Sequence, residues 1–82
     1  MEKIRISKAV EDFAGELGIK IHSLDGGIIY FDADECKYDC VYCIARVISQ
    51  IKRTHSYLVV TSLTIVPTAI CKKGAVASFE RK

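Results

Sequence analysis

The chain has no tryptophan, one proline and one methionine among its 82 residues, and it contains no low-complexity segment. A single proline excludes a polyproline linker, and the apolar half of the composition excludes the disordered class, whose members bury too little to offset the entropy of ordering. A chain of this length makes one domain, residues 1–82, and buries only about 60% of the surface its unfolded form exposes. Net charge is only +2, which by itself selects no partner. Its distribution is uneven: residues 1–40 hold five Lys or Arg against nine Asp or Glu, and residues 41–82 hold seven against one.

Residues 54–71, THSYLVVTSLTIVPTAIC, lack any charge. A membrane-spanning helix needs about 20 predominantly apolar residues, whereas this stretch carries four Thr, two Ser, one His and the proline. Its Val and Ile content suits a buried strand, so no membrane partner is expected. The start, MEKIRISKAVEDF, alternates charged and apolar residues and shows no apolar segment of the kind a signal peptide needs. The four cysteines are therefore read as thiols of a reducing, cytoplasmic setting rather than as a disulfide framework.

Local patterns give the elements. KIRI alternates through Ile4 and Ile6 and reads as a short strand. Ser7 can cap a helix in SKAVEDFAGELG, where Val10, Phe13, Ala14 and Leu17 recur at helical spacing and Gly18 supplies the left-handed stop. IKIHSL and IIYF flank DGG, a hairpin with glycines where positive φ is needed. Asp32 with Glu35 has the form of a capping box and places the start of a second helix there. On that helix a step of about 100° per residue gathers Cys36, Cys40, Cys43, Ile44, Val47, Ile48, Ile51 and Val41 into one stripe. Tyr38, Tyr42, Arg46, Gln50 and Arg53 fall opposite. SYLVVTSLTIVP reads as a long strand ended by Pro67, and AICKKGAVASFE as a pair of short strands turning at Lys73 and Gly74. The expected fold is α+β, with two helices on a mainly antiparallel sheet in β-α-β-β-α-β(-β) order, which is the order of ferredoxin-like folds.

CKYDCVYC sets Cys36, Cys40 and Cys43 in a C-x3-C-x2-C spacing. It resembles the cluster-binding motif of radical-SAM enzymes, in which three thiolates hold a [4Fe–4S] cluster. The resemblance covers about eight residues of the chain. Those enzymes use a partial (β/α) barrel, and a full barrel takes around 250 residues, so the activity is not carried over. Thiolates equally suit zinc, and Cys71, His55 or His22 is available as a fourth ligand. The competing expectation is that the three cysteines pack as small hydrophobes in the buried stripe. Neither histidine is brought toward a cysteine by spacing, and both read as surface residues.

Asp32, Asp34, Glu35 and Asp39 crowd the start of the second helix. Such a set can hold calcium or magnesium through oxygen ligands, or can simply oppose the positive end of the helix dipole. QIKRTH, CKKG and the final Arg81 and Lys82 are candidates for a basic patch, but no RNA-binding signature accompanies them. Tyr38 and Tyr42, one turn apart on the outer helix face, mark a contact surface for another protein or a second copy. The expected function is a small non-catalytic binding or self-associating module, with the cysteine and carboxylate metal sites as alternatives.

Overall fold

A computed structural model describes residues 2–65 and 73–82. The elements are α1 (Lys8–Glu16), β1 (Lys20–Leu24), β2 (Ile28–Asp32), α2 (Cys40–Thr54), β3 (Leu58–Ile65) and β4 (Gly74–Arg81). The four strands form one sheet in the order β1-β2-β4-β3, antiparallel throughout. Two helices on a mainly antiparallel sheet are thus observed. The chain order is α-β-β-α-β-β, and no two strands among the described residues run parallel, so the ferredoxin-like order lacks its opening strand.

Helix α1 follows its local signals. The Ser7 hydroxyl accepts from the Val10 N–H at 3.3 Å. At the other end the Gly18 and Ile19 N–H groups return to the carbonyls of Gly15 and Ala14 at 3.0 and 2.9 Å, with Gly18 at φ 78°. This closes the helix with a left-handed residue that satisfies its last carbonyls. The β1–β2 hairpin turns through Asp25, Gly26 and Gly27, both glycines at positive φ.

One face of the sheet carries Ile29 and Phe31 of β2 beside Ala75, Ala77 and Phe79 of β4, all buried under the helices. Alternation sends Ile28, Tyr30, Val76 and Ser78 to the opposite face, where they stay partly exposed. Helix α2 supplies Cys43, Ile44, Val47, Ile48 and Ile51 to the core, and α1 supplies Val10 and Ala14.

Four local expectations are corrected. Residues 3–6 form no strand; their alternation serves packing instead, with Ile4 in the core and Ile6 against it. Helix α2 does not start at Asp32, because Asp32 is still a strand residue paired with both Lys20 and Gly74. The cap is Asp39, whose Oδ1 accepts the N–H groups of Val41 and Tyr42 at 3.0 and 3.2 Å. Val41, at the edge of the expected stripe, is 49% exposed. Gly74 is not a turn residue but the first residue of β4, paired with Asp32. The strand end at Pro67, the first of the two short strands and Cys71 lie outside the described residues.

Candidate functional site

Residues 33–39 link β2 to α2 and hold most of the chemistry-bearing side chains. Ala33 donates its N–H to the Lys73 carbonyl at 3.0 Å, and Asp34 Oδ1 accepts the Lys73 N–H at 2.9 Å. The linker is thereby tied to the start of β4. Asp32 Oδ1 accepts the Asp34 N–H at 3.0 Å, and Glu35 forms an exposed ion pair with Lys20 at 3.6 Å. With Asp39 at the helix cap, each of the four carboxylates has a partner. Among the described residues no three His, Cys, Asp or Glu side chains lie close enough to hold one metal ion.

The thiols divide by position. Cys36 is in the linker, not on the helix; its N–H reaches the Ala33 carbonyl at 3.0 Å and its Sγ reaches the Tyr38 carbonyl at 3.7 Å. It is 4% exposed, Cys43 is 2% exposed, and Cys40, the first residue of α2, is half-buried. Burial pushes the Cys43 thiol up, and the neighbouring Cys36 thiol adds to this through a hydrogen bond and through its charge when ionised. Asp39 acts in the same direction, and Arg46 opposes them.

That shift has a signed consequence for stability. Where pH exceeds the ordinary cysteine value of about 8.5, the unfolded chain loses the Cys43 proton while the folded chain keeps it. The folded state then binds more protons, so stability falls as pH rises through this window. Thermal melts from pH 8 to 10 are expected to show a steeper decline in the native protein than in Cys43→Ala. Equal slopes would remove Cys43 from the account.

The most exposed aromatic rings among the described residues are Tyr38, which lies in the linker and not on the helix as expected, and Tyr42 on the outer face of α2. Tyr38 is 66% and Tyr42 61% exposed. The Arg46 guanidinium carbon lies 5.5 Å from the centre of the Phe13 ring on α1 and 5.9 Å from that of Tyr42, within cation–π range of both. Beside this stack a cleft of about 460 Å³ runs between the helices, lined by Glu16, Leu17, Tyr38, Tyr42, Cys43 and Arg46.

The sequence pattern places Tyr42 on the outer face of α2 but wrongly sets Tyr38 on the same helix, and it does not place the cleft, which exists only because α1 docks against α2. Phe13 and Arg46, each on the expected side of its own helix, were the available signal. Comparison with protein-family models, with curated proteins and with solved structures finds no match to the chain. The surface must therefore be read from its own chemistry.

One of the two histidines is a second correction. His22 is exposed and stacks on Tyr30, with ring centres 5.9 Å apart. His55 is buried, not on the surface, because its Nε2 accepts the Ser7 N–H at 3.3 Å and so ties the end of α2 to the cap of α1. Of the candidate basic residues that are described, Lys73 and Arg81 are far apart, while Arg81 shares a cleft with Lys3, Arg5 and Tyr57. Lys73 and Arg81 sit at opposite ends of β4, which eight residues extend to roughly 25 Å. Lys52 and Arg53 occupy the last turn of α2, where cations oppose the helix dipole. Among the described residues no helix is long and apolar enough to cross a membrane.

Proposed function

We propose that this protein is a small non-catalytic binding module of the cytoplasm that associates with a second copy of itself through Tyr38 and Tyr42. The observation that carries the reading is the exposure of both rings at the mouth of the helix–helix cleft. Large amphipathic rings that give up little side-chain entropy are favoured contact residues. A second copy suits the surface because both signs of charge surround the rings: Glu16 and Asp39 on one hand, Lys37 and Arg46 on the other, all exposed. A two-fold axis can set each sign against its opposite.

Sedimentation equilibrium tests this. The native chain is expected to dimerise with concentration, and Tyr38→Ser with Tyr42→Ser to stay monomeric and melt like the native chain at dilution, where the native chain is monomeric too. A native chain that is monomeric at every concentration overturns the reading.

The cysteine reading, an iron–sulfur or zinc centre on Cys36, Cys40 and Cys43, draws support from the adjacency of Cys36 and Cys43. Stoichiometric iron or zinc in protein purified without oxygen would decide for it. The carboxylate reading, calcium or magnesium at Asp32, Asp34, Glu35 and Asp39, would show as a cation-dependent rise in melting temperature through preferential binding to the native state.

A further inference from the structure

The first turn of α2 carries two thiols, because the helix begins at Cys40 and not nearer to β2. Residues three apart on an ideal helix have Cα atoms about 5 Å apart, inside the roughly 4.4–6.8 Å that a disulfide spans. Their Cβ atoms, about 5–6 Å apart, must close by about 1–2 Å to form the bond. That movement falls to the Cys40 end of the turn, since the Cys43 N–H is bonded to the Asp39 carbonyl at 3.0 Å whereas the Val41 and Tyr42 N–H groups are held by the Asp39 side chain and not by a preceding turn. Access to the two thiols also differs: Cys40 is half-buried and reachable, whereas Cys43 lies beneath, with the Cys36 thiol as its neighbour.

We propose that Cys40 and Cys43 form a thiol–disulfide exchange site whose co-reactant is a low-molecular-weight disulfide, with Cys40 reacting first and Cys43 resolving. The Cys40 thiolate, its proton passed to water, attacks one sulfur of R–S–S–R; the Cys40–S–S–R bond forms and R–S⁻ leaves. The Cys43 sulfur, its proton also passed to water, then attacks the Cys40 sulfur. The Cys40–Cys43 bond forms and the second R–S⁻ departs. Two protein thiols are oxidised, and one small disulfide is reduced to two small thiols. Attack by one cysteine on a mixed disulfide at its neighbour is the ordinary course of such exchange, and a C-x-x-C spacing is where it is found. Neither tyrosine ring takes part in the chemistry, but Cys43 lines the same cleft as Tyr38 and Tyr42, so the exchange is also measured on the Tyr38→Ser with Tyr42→Ser chain.

The sequence makes the bond easy to assign. Trypsin releases residues 38–46 as one peptide holding Cys40 and Cys43 and no other cysteine, while Cys36 falls in 21–37 and Cys71 in 54–72. Native protein prepared without oxygen is incubated with glutathione disulfide, its remaining thiols are alkylated, and the digest is weighed by mass spectrometry.

The expected product is peptide 38–46 lighter by two hydrogens and unalkylated, with two glutathione thiols released per chain and full recovery on reduction with dithiothreitol. Cys43→Ala, checked for native circular dichroism, is expected to stop with glutathione on Cys40 and one thiol released. Four results overturn the proposal: glutathione retained on Cys40 in the native chain, a bond from this peptide to that of Cys36 or Cys71, reaction only in denaturant, or thiols occupied by stoichiometric metal. Reaction in the Tyr38→Ser with Tyr42→Ser chain alone would mean that a second copy covers the site, whereas no native-state reaction in either chain overturns the proposal.

Discussion

Gly18→Ala is expected to lower the melting temperature by at least about 10 °C, with Cys36 becoming reactive to alkylation before the chain unfolds. Gly18 sits at φ 78°, where an L side chain costs about 1–2 kcal/mol. An added Cβ would also lie 2.6 Å from the Glu35 carbonyl oxygen and 2.9 Å from Cys36 Cα. Both are backbone atoms, so no side chain can swing away, and forcing extra volume into a packed site costs about 1–3 kcal/mol. A domain of this size holds only about 4–12 kcal/mol in total, and each kcal/mol moves the melting point by about 4–8 °C.

The clash has a direction: it drives the linker away from the end of α1 and uncovers the Cys36 thiol. Gly15→Ala is the control, because nothing lies within 4 Å of its added Cβ. That change is expected to stabilise by about 0.5–1 kcal/mol through helix propensity. If Gly18→Ala melts like the native chain, the linker is not packed on the α1 cap.

How much of this was legible in the sequence follows from how far each feature reaches along the chain. The Ser7 cap, the Gly18 stop and the glycine turn of the first hairpin are set by neighbours within a few residues, and each forms where the sequence places it. The start of α2 is not local. Asp32 and Asp39 both have the side chain of a cap, and the choice between them rests on how far β2 extends, which is fixed by its pairing with Gly74 some forty residues on. His55 is buried by a hydrogen bond from Ser7, forty-eight residues away. The cysteines were expected inside on a helical stripe. Cys43 is inside for that reason, whereas Cys36 is buried from a linker, by packing of a different kind. The cleft beside Tyr42 needs two helices docked, and no periodicity within one of them reports that.

Phe31→Ala is the change expected to cost most, about 3–5 kcal/mol for a large aromatic cut back to alanine in a core. Phe31 is fully buried on an inner strand, with Ile21 beside it on β1 and Ala75 on β4. Alanines at 75 and 77 leave no long neighbouring side chain on that strand to move into the cavity, so the site cannot collapse and the upper part of the range applies. Phe31→Leu keeps most of the volume and is expected to lose much less.

Urea unfolding separates the outcomes. The midpoint should fall steeply at an unchanged slope, since the surface exposed on unfolding hardly changes. Phe31 and Cys43 belong to the same core cluster. The alanine variant should therefore also raise the rate at which Cys43 is alkylated, in proportion to the loss of stability if that thiol is reached through global opening. A Cys43 rate that ignores Phe31→Ala would instead place its access route through the local cleft between α1 and α2.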